Sequence, residues 1–252
     1  MHYVNHGTKP EKLKEYHSQF TQKWVDHYLK GRGGKPVDAH WTKDEIREPL
    51  IECFEDNCGY CGTSMGKRPS KSGKMIPIGQ VDHFLPKSKC PEFVYYWENY
   101  IWSCTDCNKA KGDFYEQEMI LYPGCKKDME ALELRNNGKY YLKMEFAKNE
   151  LLQKRYRATC EKTIMNFGIH PNERKAIKDE LEYRLSGIIT YGDMIRSDVF
   201  NKADSKIQSF IKDKYQKTRS NIKQILNSSH YKKMIQSIIN KSCKKNQSYL
   251  LF

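Results

Sequence analysis

The chain has 252 residues, with 44 Lys+Arg against 31 Asp+Glu and a formal net charge of +13, so it has room for a real core and favours an anionic partner, nucleic acid or an acidic membrane surface. Nine cysteines, an odd count with a single paired quartet, argue against a disulfide framework and for a reducing compartment. The N-terminus lacks an apolar leader core and no later run reaches the length of a membrane span, which leads us to expect a soluble, cytoplasmic protein with no membrane role.

From Pro10 to Lys30, Leu13, Phe20, Trp24 and Tyr28 recur on one helical face, with Lys and Glu opposite, predicting an amphipathic helix. The run Gly31-Arg-Gly-Gly-Lys-Pro36 breaks it. Thr42-Lys-Asp-Glu45 reads as a capping box for a second helix that turns Ile46, Leu50, Ile51 and Phe54 inward, with Pro49 able to shift its start or bend it. His2, His6, His17, His27 and His40 are scattered through this segment and are expected as surface or core residues.

Cys58 to Gly112 carries the chemistry. Cys58-Gly-Tyr-Cys61 and Cys104-Thr-Asp-Cys107 are two Cys-x-x-Cys knuckles, and together they offer the four thiolates of a closed tetrahedral Zn²⁺ site. Between them, Lys67 to Lys74 is basic and rich in Ser, Pro and Gly, predicting a mobile loop. A strand carrying Asp82-His83 follows, then a crossover from Lys89 to Trp97, a short strand over Tyr100 to Ser103, and a helix from Cys107 onward. That helix sets Asn108 and Lys111 about one turn apart. Lys87, Lys109 and Lys111 are candidate phosphate contacts, with solvent-facing charge the alternative for each.

Further on, Asn137-Gly138 signals a type I′ hairpin between Ala131 and Glu145. Leu151, Leu152, Tyr156, Cys160, Ile164 and Phe167 follow a helical period to a C-cap at Gly168, and Asn172 is the expected cap of a helix carrying Ile177, Leu181 and Leu185. Most of the net positive charge lies beyond Asn201, where 11 Lys and 1 Arg face 2 Asp and no Glu. Ile207, Phe210, Ile211, Ile222, Ile225, Leu226, Met234, Ile235 and Ile238 keep helical spacing there, predicting a basic amphipathic helical tail.

The two knuckles, the Asp82-His83 step, Asn99 within the intervening loop and Asn108 directly after the last cysteine together resemble the HNH (ββα-metal) nucleases of the four-cysteine zinc type. Many members have His after that cysteine; Asn in its place makes this the His-Asn-Asn variant. The resemblance implies a strand-loop-strand-helix core in which His83 is the general base for phosphodiester hydrolysis and Asn99 orients it. Asp82 and the amide oxygen of Asn108 then hold a hard divalent cation, Mg²⁺ or Mn²⁺. The fold class expected is α+β and mostly helical: an N-terminal helical scaffold over 1–57, a zinc-stabilised HNH core over 58–125, and a hairpin with helices and basic tail over 126–252.

A wider likeness rests on the Trp24 helix, the Asp-His-Phe-Leu-Pro-Lys-Ser run from Asp82, the Trp97-Glu-Asn99 step and the Thr163-Ile164 to Gly168-Ile169 junction. These are similar to the PtuB-like HNH effector subunits of Septu and related retron anti-phage systems, which implies an ATPase partner of the SMC/ABC type. The basic tail departs from that pattern. Open alternatives are a stand-alone restriction-like HNH endonuclease and a zinc module that only binds nucleic acid or protein, and a homodimer is a further possible assembly. DNA is the favoured substrate, with RNA the alternative, and the tail serves as nucleic-acid clamp, partner dock or part of its own domain.

Overall fold

The computed structural model describes residues 1–31, 34, 36–116, 119–228 and 231–245. It is a mostly helical α+β protein with three two-stranded antiparallel pairs among the described residues. Parts of the breaker after Gly31 and the last seven residues of the basic tail lie outside them. The chain divides into two compact units, residues 1–135 with 139–170, and residues 136–138 with 171–252.

In the first unit, helix α1 (Glu11–Lys30) buries Leu13, Tyr16 and Trp24 and ends where Gly31 takes φ 61°, a left-handed C-cap that glycine adopts without strain. Helix α2 (Asp44–Phe54) buries Ile46, Leu50 and Phe54 and runs through Pro49. The expected capping box does not form. Thr42 closes a 3₁₀ turn over His40–Thr42 by donating to the Ala39 carbonyl (2.7 Å), and Glu45 accepts the Tyr16 hydroxyl (2.7 Å). Both side chains thereby find better partners than the α2 N-terminus, whose cap position is Lys43.

Residues 67–77 form a hairpin rather than a loop: β1 (Lys67–Pro69) pairs with β2 (Met75–Pro77), the Ser70 amide bonding the Lys74 carbonyl (2.8 Å) and Gly73 taking φ 80° at the turn. Next, β3 (Gln80–His83) pairs antiparallel with β4 (Tyr100–Ser103), setting His83 opposite Tyr100 and Asp82 opposite Ile101. Helix α3 (Thr105–Lys111) starts two residues earlier than expected, because the Cys104 sulfur serves as its N-cap and accepts the Cys107 amide. Trp97, Tyr100, Ile101 and Trp102 are fully buried around this pair. At 150–250 Å² per aromatic, each contributes on the order of 4–6 kcal/mol as an upper bound. The α2 helix packs on β4 and the 40–42 turn on β3, so the N-terminal segment is a wall of the central module.

Helix α4 (Lys126–Glu130) leads into the hairpin of β5 (Leu132–Leu134) and β6 (Tyr140–Leu142). Its loop is closed by the Arg135 amide on the Lys139 carbonyl (3.0 Å), and Gly138 but not Asn137 has positive φ. A type I′ turn needs positive φ at both central residues, so this is a three-residue loop instead. Helix α5 (Glu150–Lys162) stops short of the expected Gly168. Thr163 turns its hydroxyl to the Thr159 carbonyl (2.7 Å) and accepts the Met165 amide (3.2 Å), a local competition that ends helices.

The second unit holds α6 (His170–Arg196), α7 (Asp198–Lys202), α8 (Ser205–Ser228) and α9 (Lys232–Lys245). Asn172 is an exposed residue inside α6, not its cap, since the helix begins at His170. The apolar stripe of the tail divides. Ile222, Tyr231, Met234, Ile235 and Ile239 are buried where α8 meets α9, whereas Ile207 and Phe210 stay 49% and 60% exposed. No described helix is long and apolar enough to cross a membrane.

Candidate active site and zinc centre

The two knuckles converge. The Sγ atoms of Cys58, Cys61, Cys104 and Cys107 lie within 4.8 Å of one another, and Cys61 and Cys104 are 3.9 Å apart. Four thiolates at about 2.3 Å from a tetrahedral Zn²⁺ stand about 3.8 Å apart, so the cluster fits that ion. Its surroundings are built for it. The Cys107 amide donates to the Cys104 sulfur (3.4 Å), and the Ser103 hydroxyl lies 3.9 Å from the Cys58 sulfur. Gly59 is required in the first knuckle, because a Cβ there would come within 2.7 Å of both Ile101 and Phe54.

Asp56 docks the first knuckle onto the strands. With φ 53° just after α2, it accepts the Trp102 indole N–H (3.0 Å) on one carboxylate oxygen and the Gly66 amide (2.8 Å) on the other. Tyr60, between the two zinc-type cysteines, is fully buried and donates its hydroxyl to Asp82 Oδ2 at 2.6 Å. Burial and then the Asp82 charge hold its phenol well above the ordinary pKa, so it stays a donor.

Asp82 and His83 sit side by side at the end of β3, 6% and 5% exposed. The alternation of a strand turns their side chains to opposite faces. On one face, Lys111 Nζ approaches both Asp82 oxygens (3.0 and 3.2 Å) and donates to the His83 carbonyl at 2.7 Å. Burial raises the Asp82 carboxyl, and Lys111 and Tyr60 pull it back towards the ionised form. Asn108, one turn before Lys111 on α3, donates its amide N–H to Gln80 Oε1 (2.8 Å). Gln80 shares the Asp82 face of β3, and the amide oxygen of Asn108 is left as its acceptor.

On the other face, His83 Nε2 lies 3.1 Å from the Val94 carbonyl. A carbonyl can only accept, so Nε2 carries the hydrogen and Nδ1 keeps the lone pair. Trp41 packs edge-on against the imidazole at 4.6 Å between centroids and Tyr100 at 5.2 Å. Burial, with the Lys87 charge next, pushes its pKa down to about 3. The ring is therefore neutral at physiological pH.

The loop that presents Val94 is held from two sides. Asn99 spends its whole amide on it: Oδ1 accepts the Leu85 amide (2.7 Å), and Nδ2 donates to the Leu85 and Phe93 carbonyls (3.1 Å each). From behind, the Tyr95 hydroxyl accepts the Trp24 indole N–H (3.2 Å) and bonds His40 Nδ1 (2.8 Å). These residues of the N-terminal segment thus reach the imidazole through one peptide unit.

Among the residues singled out as phosphate contacts, Lys111 is buried and spent on Asp82 and His83, so it does not face solvent. Lys109 is exposed, and Lys87 is half-buried with its ammonium 5.8 Å from the Trp41 ring centroid. Sequence reasoning missed Trp41 and Tyr60. A large aromatic inside a tight zinc knuckle was the available signal for Tyr60; for Trp41 there was none.

Residues 58–114, which carry both knuckles, β3, β4 and α3, match the family model described as HNH endonuclease. The chain is also similar to the Septu protein PtuB of Bacillus thuringiensis, at 30% identity over 124 residues, 49% of this chain and 42% of the relative. The chain therefore covers less than half the length of that curated relative.

Proposed function

We propose that this protein is a metal-dependent endonuclease that hydrolyses phosphodiester bonds in nucleic acid, DNA in preference to RNA, as the nuclease effector of an anti-phage defence complex in the cytoplasm. The observation that carries the nuclease reading is the neutral imidazole of His83 with its Nε2–H committed to Val94, next to a buried carboxylate, inside the HNH match. The similarity to a Septu protein supports the defence role and a partner subunit, which we take to be an ATPase of the SMC/ABC type.

In this reading His83 Nδ1 takes the proton of the attacking water, and the bond to Val94 stabilises the imidazolium that forms. Asn99 keeps that carbonyl in place. Asp82 and the amide oxygen of Asn108 are hard oxygen donors that fit Mg²⁺ or Mn²⁺, with Gln80 holding the Asn108 amide and Lys111 and Tyr60 holding Asp82. The cation, when bound, supplies charge stabilisation at the phosphate and the leaving oxygen. Exposed Lys109 and half-buried Lys87 are the phosphate contacts we assign, and in this reading substrate must reach an imidazole that is 5% exposed and packed against Trp41.

The test is His83→Ala in a metal-replete assay on DNA and RNA. Cleavage should fall by about 10²–10⁴-fold, with nucleic-acid binding and zinc content unchanged. Cleavage at the wild-type rate would overturn the assignment.

A further inference from the structure

We infer that Tyr60 is a positioning residue of the catalytic centre, through which the zinc knuckle sets the orientation of the Asp82 carboxylate. The inference rests on the reading of Asp82 as a ligand of the catalytic cation. The zinc cluster and the catalytic strand are separate pieces of sequence, and a frame alone needs no polar link between them. Yet the side chain between Cys58 and Cys61 leaves the knuckle, is fully buried, and ends 2.6 Å from Asp82 Oδ2.

A carboxylate on a strand end turns freely about its last bond unless its oxygens are held. Here Oδ2 receives two donors, the Tyr60 hydroxyl (2.6 Å) and Lys111 Nζ (3.0 Å), while among the described residues Oδ1 receives only Lys111, at a longer 3.2 Å. The two donors come from different elements, the first knuckle and the last turn of α3, so the carboxylate plane is fixed. Oδ1 is the less committed oxygen and thus the one to meet a cation. Groups that orient a ligand in this way typically alter metal affinity 10–100-fold when removed.

The knuckle is itself rigid at this point. The Gly62 amide bonds the Cys58 carbonyl (2.8 Å), the Cys58 amide bonds the Thr63 carbonyl (2.8 Å), and the Gly59 amide bonds the Trp102 carbonyl (2.9 Å). A tyrosine carried on that turn has its hydroxyl placed by the zinc fold, and the phenol reports the state of the knuckle to Asp82.

The experiment is Tyr60→Phe in the full chain, which keeps the ring and removes one oxygen. Mn²⁺ affinity is measured by electron paramagnetic resonance on zinc-loaded protein, alongside zinc content, thermal midpoint and the Mn²⁺ dependence of cleavage, with Asp82→Ala as the control. We expect Y60F to weaken Mn²⁺ binding tenfold or more, keep one zinc per chain, and recover cleavage at high Mn²⁺. Wild-type Mn²⁺ affinity in Y60F, with affinity lost in D82A, would overturn the inference and leave the proposed metal site standing. Wild-type affinity in D82A as well would remove the proposed metal site, and the inference with it.

Discussion

The module of residues 58–114 and the helices α8 and α9 are the two stretches where unusual residues concentrate, and they hold them in opposite ways. In the module the charged and polar side chains at the strand end are buried and bonded: Lys111 to Asp82 and the His83 carbonyl, Tyr60 to Asp82, Asn99 to three backbone groups. In α8 the lysines are exposed apart from half-buried Lys214, and the large apolar residues are divided, with Ile222 buried while Ile207 and Phe210 remain exposed. Burying ionic groups is costly unless each is paired, so the module's stability rests on pairing and on the metal its cysteines can hold. The helices rest on ordinary apolar packing. Substitutions in the two should therefore fail by different mechanisms and by different amounts.

The widest gap should come from Cys104→Ser. Zinc binding in such sites is folding energy of about 10–16 kcal/mol, so losing a ligand should leave the module unfolded or insoluble. Elemental analysis and circular dichroism check this; a soluble, zinc-free variant with wild-type melting would contradict it. Lys111→Met comes next. It leaves the Asp82 charge buried without its ammonium, a change that costs about 3–5 kcal/mol, read as a lowered urea midpoint. Adding Asp82→Asn to that variant should restore part of the loss, because the unpaired charge is then gone. The smallest contrast lies within the tail: Ile235→Ala should cost about 2–5 kcal/mol as a core truncation, whereas Phe210→Ser should stay within about 0.5 kcal/mol. Equal effects at the two positions would mean that the whole stripe packs on its own unit.

How far the sequence spoke for itself follows the same division. A bonding role for Asn99 across the loop came only from the family resemblance, whereas the cysteine quartet and the β3–β4 pair were legible because each depends on residue type at short, fixed spacing. The burial of Lys111 was not, because it depends on the last turn of α3 lying over β3, and a lysine one turn past a candidate ligand reads equally well as a phosphate contact. Tyr60 and Trp41 act through contacts 22 and about 40 residues away in sequence, Tyr60 on Asp82 and Trp41 on His83, distances over which no periodicity carries. In the tail, spacing recorded one continuous stripe, but spacing cannot say which part of a stripe a neighbouring helix covers. Likewise the Thr42–Glu45 pattern was a valid cap signal, overridden when both side chains were taken by Ala39 and Tyr16.

Trp41 also makes the molecule its own optical probe. All four tryptophans are buried, but Trp41 has its ring 4.6 Å from that of His83 and a lysine ammonium 5.8 Å above it. An indole in that setting emits according to the charge and water around it. Under the proposed function, displacement of Trp41 from His83 towards solvent would shift its emission to the red. Such a displacement is measurable in real time on the unlabelled protein.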